Sequence, residues 1–228
     1  MKKRVLSMLM ALTLCLTTLP TAVFADVTEN GEGSGGTHYV AESGGTQYET
    51  VQEILDNMEE GEITLLDSVT EDLTVYAATT IHMNGHSITG GGQNILMNLA
   101  GGASVEIENC LASYDENGFL RVDGANVSKI SGGFAEKDFA GAITVRGATL
   151  RLSGVWLTQN STKQSGGYGG GAINVRADGV VILTGCLLSE NSTEAEGGAI
   201  AIRDNAKLTL ENTVLRQNTA GTKGGAIY

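Results

Sequence analysis

Proline is all but missing: the 228-residue chain holds one, Pro20, and it falls in a segment with the marks of a leader. A proline-rich stalk is thereby excluded, and the 32 glycines have to supply the special backbone angles of the turns. Aromatic residues are few, at 5%, yet the 41% of hydrophobic residues is enough for a real core, which excludes wholesale disorder. Positive charge is the third scarcity. Residues 26–120 carry 17 Asp or Glu and no Lys or Arg, whereas 121–228 carry 9 acids and 11 bases. A nucleic-acid partner or an anionic membrane would need a basic face, so neither is supported. The acidic half could attract cations, but solvated acidic surface is the simpler account.

The first 25 residues run from Lys2-Lys3-Arg4 through an apolar stretch, VLSMLMALTLCLTTL, to small residues at Val23 and Ala25. Basic start, short apolar run and small residues before a break predict a secretory signal peptide cleaved after Ala25. The run is shorter than the ~20 residues of a spanning helix, so no transmembrane segment is expected in the mature chain. Cys15 follows Leu14, where a lipoprotein signal would place a small residue. Cleavage would leave Cys110 and Cys186, an even pair in an oxidising compartment.

Residues 26–45, rich in Gly, Glu and Ser, read as a flexible arm. A short amphipathic helix is predicted over about 50–60: Val51, Ile54, Leu55 and Met58 share one face, Thr50 is the N-cap and Gly61 the stop. Nothing beyond it has helical periodicity. Short β-type runs follow at 62–66, 73–76, 80–83, 94–100, 104–111 and 119–122, separated by Gly, Asn and Asp, which is an all-β pattern.

The last third repeats itself. GGAI stands at 170–173, 197–200 and 224–227, a period of 27, with AGAI at 140–143, and the units close on Leu157-x-x-Asn160, Leu188-x-x-Asn191 and Leu215-x-x-Asn218. A 27-residue unit with several short strands and no helix excludes helical-pair solenoids, leucine-rich repeats and propeller blades. It predicts coils of about three strands, each strand pairing in parallel with its equivalent one coil on, over 46–228 and clearest at 140–228. Burying Ile200, Ile202, Leu208, Leu210 and Leu215 in one coil falls well short of the entropy lost in ordering its 27 backbones. A lone coil therefore cannot fold, and the helix is placed to cap the first one.

Repetition also sorts the polar residues. Asn160, Asn191 and Asn218 are expected to form an inward column bonding to one another and to turn backbone. The pairs Gly170-Gly171, Gly197-Gly198 and Gly224-Gly225 read as turn geometry, with no phosphate-binding context. Arg146, Arg176 and Arg203 occupy equivalent positions and form a candidate exposed face, with Asp178 and Asp204 close by. The histidines His38, His82 and His86 lack metal-ligand spacing, no Ser/His/Asp or Cys/His set stands out, and no catalytic, cofactor or metal residue is assigned. Aligning VEIENC with VILTGC puts Cys110 and Cys186 in one column. Taken as three coils, or ~14 Å, that separation predicts two free thiols.

These texts resemble the right-handed parallel β-helix proteins of the pectin-lyase-like superfamily, and within it the GGA[I/L/V/Y] and F-x-x-N repeats of the polymorphic outer-membrane proteins. Leu157, Leu188 and Leu215 stand where those repeats carry Phe. The segment from Tyr48 through IHMNGHSITG is similar to the capping helix and first coils of secreted bacterial β-helix proteins. The resemblance implies a secreted or cell-surface protein with a structural, adhesive or glycan-contacting role, its partner an extracellular glycan or a cell-surface protein. The alternative it carries is a polysaccharide lyase or glycoside hydrolase, although the NTD, paired Asp, GHG and RIK texts of the hydrolases are missing. Because the chain stops at Tyr228 just after a fresh GGAI, it is expected to be truncated, with any catalytic coil, wall anchor or barrel lying beyond.

Overall fold

Stacking equivalent strands at the repeat period produces four parallel sheets running along one axis. The computed structural model of the chain describes residues 37–91, 97–136, 140–163 and 169–228. The leader expected over 1–25 and the first part of the 26–45 arm lie outside them. Tyr39–Tyr228 forms one unit, a parallel β-solenoid of about five turns with a single short helix.

The coil from 143 shows the plan. Ile143–Arg146 belongs to a five-stranded sheet, Thr149–Ser153 to an eight-stranded one, Trp156–Thr158 to a six-stranded one and Ser161–Thr162 to a four-stranded one. The next coil repeats the order with Ile173–Arg176, Val180–Thr184, Leu187–Ser189 and Ser192–Thr193, and the last with Ile200–Ile202, Lys207–Glu211, Val214–Arg216 and Thr219–Ala220. Register is strict: Ile143 faces Ile173, which faces Ile200, and Leu150 faces Val181, which faces Leu208. Alternation then sends one set of side chains inward on every strand. Leu150, Leu152, Val181 and Leu183 are buried, as are Ile143, Val145, Ile173 and Val175. The two-residue fourth strand is an addition to the three expected per coil, and it is too short for any hydrophobic pattern to announce it.

The N-terminal end is closed in two ways. Thr50 Oγ1 accepts a hydrogen bond from the Glu53 amide at 3.2 Å and starts the helix Val51–Asn57, which buries Val51 and Ile54 on the core. The Glu71 carboxylate accepts from the Val51 and Gln52 amides at 3.0 and 3.1 Å, fixing the helix to the first coil. The second closure departs from the sequence reading. Ala41–Ser43, inside the expected arm, pairs antiparallel with Thr46–Tyr48 and with Glu60–Leu65, so a hairpin covers the first edge of the eight-stranded sheet. Its turn, Gly44-Gly45, has φ of 57° and 80°, the pair of positive angles a two-residue hairpin loop requires.

One coil is longer than the rest. Between Ser104–Glu108 and Lys129–Ser131 the chain leaves the stack, and Phe119–Val122, expected as a strand, contributes only a bridge between Leu120 and Tyr114. Asp115 Oδ1 accepts from the Asn117 and Phe119 amides, both at 2.9 Å, and shapes the turn of this insertion. Tyr114 lies against Gly154 and Gly185, where a side chain on either glycine would strike its ring or hydroxyl. The insertion thus lies along the solenoid across two coils.

That extra length changes the cysteine register. Glu108 pairs with Ser153 and Ser153 with Thr184, so Cys110 and Cys186 are two steps apart, roughly 10 Å, and not three. They are not bridged to each other. Cys186 is a buried free thiol, as expected, whereas Cys110 is held in a disulfide in the chain with its leader, so the expectation of two free thiols, made for the cleaved chain, stands untested at Cys110.

Burial pushes the Cys186 thiol up to about 11, against donated backbone hydrogen bonds that lower it. The thiol is the favoured form in the fold, so the folded state binds more protons than the unfolded one above the ordinary thiol range. Stability is therefore expected to fall between about pH 9 and 11, and Cys186→Ala should flatten that slope in urea midpoints. At pH 8 the native protein should leave Cys186 unalkylated by iodoacetamide, with labelling only after denaturation. Rapid native labelling would contradict the burial of this column.

Candidate functional site

Repeated positions become ladders when coils stack, and the chemistry of each ladder depends on whether it faces in or out. The inward polar ladder lies where the six-stranded sheet turns into the four-stranded one. Asn160 Nδ2 donates to Asn191 Oδ1 at 3.0 Å, and Asn191 Nδ2 donates to Asn218 Oδ1 at 3.0 Å. The backbone amides of Asn160 and Asn191 donate to the same two oxygens, at 3.2 and 3.0 Å. Each side chain also donates to a carbonyl one coil back: Asn160 to Ile130, Asn191 to Leu157 and Asn218 to Leu188, at 3.0, 3.1 and 2.9 Å. Asn160 and Asn191 are fully buried. The preceding residues, Gln159, Glu190 and Gln217, hold φ of 56°, 58° and 55°, so one left-handed residue per coil turns the chain into the ladder.

Beside it the glycines bring coils into backbone contact. An added Cβ on Gly171 would overlap the Gly198 carbonyl oxygen, and one on Gly198 the Gly225 carbonyl oxygen. Gly197 and Gly224 have φ of 77° and 64°, and a Cβ there would strike the Ile200 and Ile227 carbonyls. Gly170 would meet the Ile173 carbonyl, while Gly225, in the last coil, has only Asn218 O at 3.7 Å.

The arginines lie at the outer end of the five-stranded sheet. Arg146 and Arg176 are register partners, and Arg203 follows one coil on, its amide donating to Val175 O at 2.9 Å. Arg146 is exposed. Arg203 is ion-paired with Glu196, whose carboxylate is also 3.5 Å from Lys223 Nζ, and its guanidinium lies 5.0 Å from the centre of the Tyr228 ring. Asp178 and Asp204 hold left-handed turns at φ of 59° and 54°, and the Asp178 amide donates to Asp204 O. Their backbone geometry makes them turn residues.

A different cluster, missed in the sequence, sits on the outer face of the eight-stranded sheet. His82 ends the strand Ala78–His82 and pairs in register with Glu108. His82 Nδ1 lies 2.8 Å from Glu108 Oε1, and Nε2 lies 3.6 Å from Glu62 Oε2 on the preceding strand. The Glu108 bond holds the imidazole above its ordinary range against the opposing effect of burial, with the charges of Glu108 and Glu62 adding to it. The His82, Glu108 and Cys110 donor atoms all lie within 4.8 Å of one another. His86, by contrast, only reaches Asp67, at 4.0 Å. The available signal was the separation: His82 and Glu108 are 26 residues apart, close to one coil.

No helix among the described residues is long and apolar enough to cross a membrane. Neither a curated protein nor a solved structure matches the chain. Residues 212–228, the segment that holds Leu215-x-x-Asn218 and the last GGAI, match the repeat of the Chlamydia polymorphic membrane proteins.

Proposed function

We propose that this chain is a secreted or cell-surface β-helix whose role is structural, adhesive or glycan-contacting, and that the Asn160/Asn191/Asn218 column and the paired glycines serve the stack and not a ligand. The observation that carries the reading is that the coil matching a membrane-protein repeat is in strand register with the two coils before it. The match, although only 17 residues long, therefore describes a unit built three times over. Kinship with the pectin-lyase-like superfamily belongs to the same proposal and rests on the fold alone.

The test is where the protein goes and what it does to polysaccharide. A full-length, C-terminally tagged chain expressed in a bacterial host is expected in the medium or open to protease on intact cells. Tagged protein confined to the cytosol would overturn the localisation. Incubation with polygalacturonate, with and without Ca²⁺, is expected to release no unsaturated sugar. Release that disappears in Arg176→Ala would replace the proposal with a lyase.

A further inference from the structure

Where the strands Glu60–Leu65, Ala78–His82 and Ser104–Glu108 run side by side, stacking sets one imidazole between two carboxylates. His82 is the register partner of Glu108 on one side, and its ring reaches back to Glu62 on the other. Nδ1 lies 2.8 Å from Glu108 Oε1 and Nε2 lies 3.6 Å from Glu62 Oε2, so each ring nitrogen is turned to a different neighbouring strand. The strand that carries Glu62 also holds the N-terminal hairpin: Ala41 and Glu42 pair with Leu65 and Thr64, and Ser43 Oγ donates to the Glu62 carbonyl at 2.8 Å.

A neutral imidazole cannot serve both contacts. It has one N–H and one lone pair, so whichever nitrogen donates, the other turns its lone pair toward a carboxylate oxygen. With the proton on Nδ1 the Glu108 bond is made, and Nε2, which is shielded from solvent and has no hydrogen-bond partner among the described residues, is left facing Glu62. An imidazolium donates from both nitrogens. The side chain of His82 is 12% exposed and that of Glu108 21%, so water does little to screen this pair, whereas Glu62, at 63%, stays solvated. The charged groups around the ring are acidic: Glu60 and Glu62 on one flanking strand, Glu106 and Glu108 on the other, and Glu42 beyond Thr64. Cys110 Sγ is within 4.8 Å, and the first basic residue along the sheet is Arg151, the register partner of Glu106.

We propose that His82 is a proton-operated staple across these three strands, closed on Glu62 and Glu108 in its imidazolium form and open toward Glu62 in its neutral form. The Glu108 bond, with the charges of Glu108 and Glu62 behind it, holds the imidazole above its ordinary range against the effect of burial. The folded chain therefore binds this proton more tightly than the unfolded chain does. The stability that the staple contributes is complete below about pH 6.5, where the unfolded histidine is charged as well, and is lost as the pH rises through the higher folded value. On deprotonation the Glu62 side chain turns to solvent, and the hairpin-bearing strand loses a tie to the strands stacked after it.

The experiment compares urea midpoints of the full chain at about pH 6 and about pH 8.5, a window that closes before Cys186 titrates, with His82→Gln measured alongside. The unmutated chain is expected to lose more stability across the window than His82→Gln, whose side chain does not titrate. His86→Gln, which removes a ring that only reaches Asp67 at 4.0 Å, should keep the unmutated slope. The same difference is expected in a Cys110→Ala background, which takes the neighbouring sulfur away. An NMR titration of the imidazole protons in the unmutated chain, assigned by elimination with His38→Gln and His86→Gln, keeps the test open if His82→Gln fails to fold. There His82 should titrate above the ordinary histidine range, and Glu108→Gln should move its midpoint down further than Glu62→Gln does. Equal pH slopes for the unmutated chain and His82→Gln, or a His82 midpoint at or below the ordinary range, would each overturn the proposal.

Discussion

Gly171→Ala is expected to destabilise the solenoid by about 3 kcal/mol, at the upper end of the range for overpacking. The added Cβ would run into the Gly198 carbonyl oxygen of the following coil and into the amide and carbonyl of Ser192 in its own coil, all of them backbone. Flexible side chains can move aside. Two backbones locked in a parallel ladder cannot, because Ala172 and Ile173 are bonded to Ala199 O at 2.9 Å on one side of the contact and Ser192 is bonded to Asn160 O at 2.9 Å on the other. Relief would require the coils to separate, breaking bonds in two sheets. Gly171 has no positive φ to complicate the reading, so the loss measures crowding alone. Gly91→Ala is the control: it too has no positive φ and, among the described residues, nothing within 4 Å of an added Cβ. That substitution should be neutral or raise stability by about 0.4–1 kcal/mol through the unfolded chain. Equal urea midpoints for the two variants would mean that the coils are not in backbone contact at Gly171.

Parallel stacking was legible in the sequence because the text from 140 onward repeats at the coil length, and residues sharing a place in the text share a place in the register. Gly171 beside Gly198 beside Gly225 is one example, and Leu157 beside Leu188 beside Leu215 is another. Legibility failed wherever the period was interrupted. The insertion after Glu108 adds chain without adding a coil, which put Cys110 and Cys186 one step too far apart. The hairpin over Ala41–Tyr48 was lost for another reason: Gly44-Gly45 was counted as a sign of disorder, although two glycines between AES and TQY also make a hairpin loop. The His82, Glu108 and Cys110 cluster was hidden because ligand spacing was sought along the chain. In a solenoid the neighbours of a residue lie one coil away, so a cross-strand pair such as His82 and Glu108 has a long spacing by construction.

Asn191→Ala is expected to cost about 3–5 kcal/mol, more than any other single truncation of a polar side chain in the array. The side chain is fully buried and takes part in four hydrogen bonds. Its Oδ1 accepts from the Asn160 amide and from Asn160 Nδ2, and its Nδ2 donates to Leu157 O and Asn218 Oδ1. Alanine leaves two donors of Asn160 and the Leu157 carbonyl without those bonds in the interior, at about 1–3 kcal/mol for each group left unsatisfied, and opens a cavity as well. Asn218 Oδ1 keeps the Asn191 amide as a donor, so the damage runs mainly toward the N-terminal side of the break. In a chain ending at Tyr228, Asn218→Ala removes the analogous bonds from a half-buried site, where water can replace some of them, and should cost less than half as much. Because coils are stable only through their neighbours, the central variant should also lower the cooperativity of unfolding, seen as a smaller urea m-value, whereas the terminal one should leave it unchanged. Thermal and urea unfolding of the two variants decides the matter. If Asn191→Ala and Asn218→Ala cost the same, the ladder is a set of independent turn bonds and does not couple the coils.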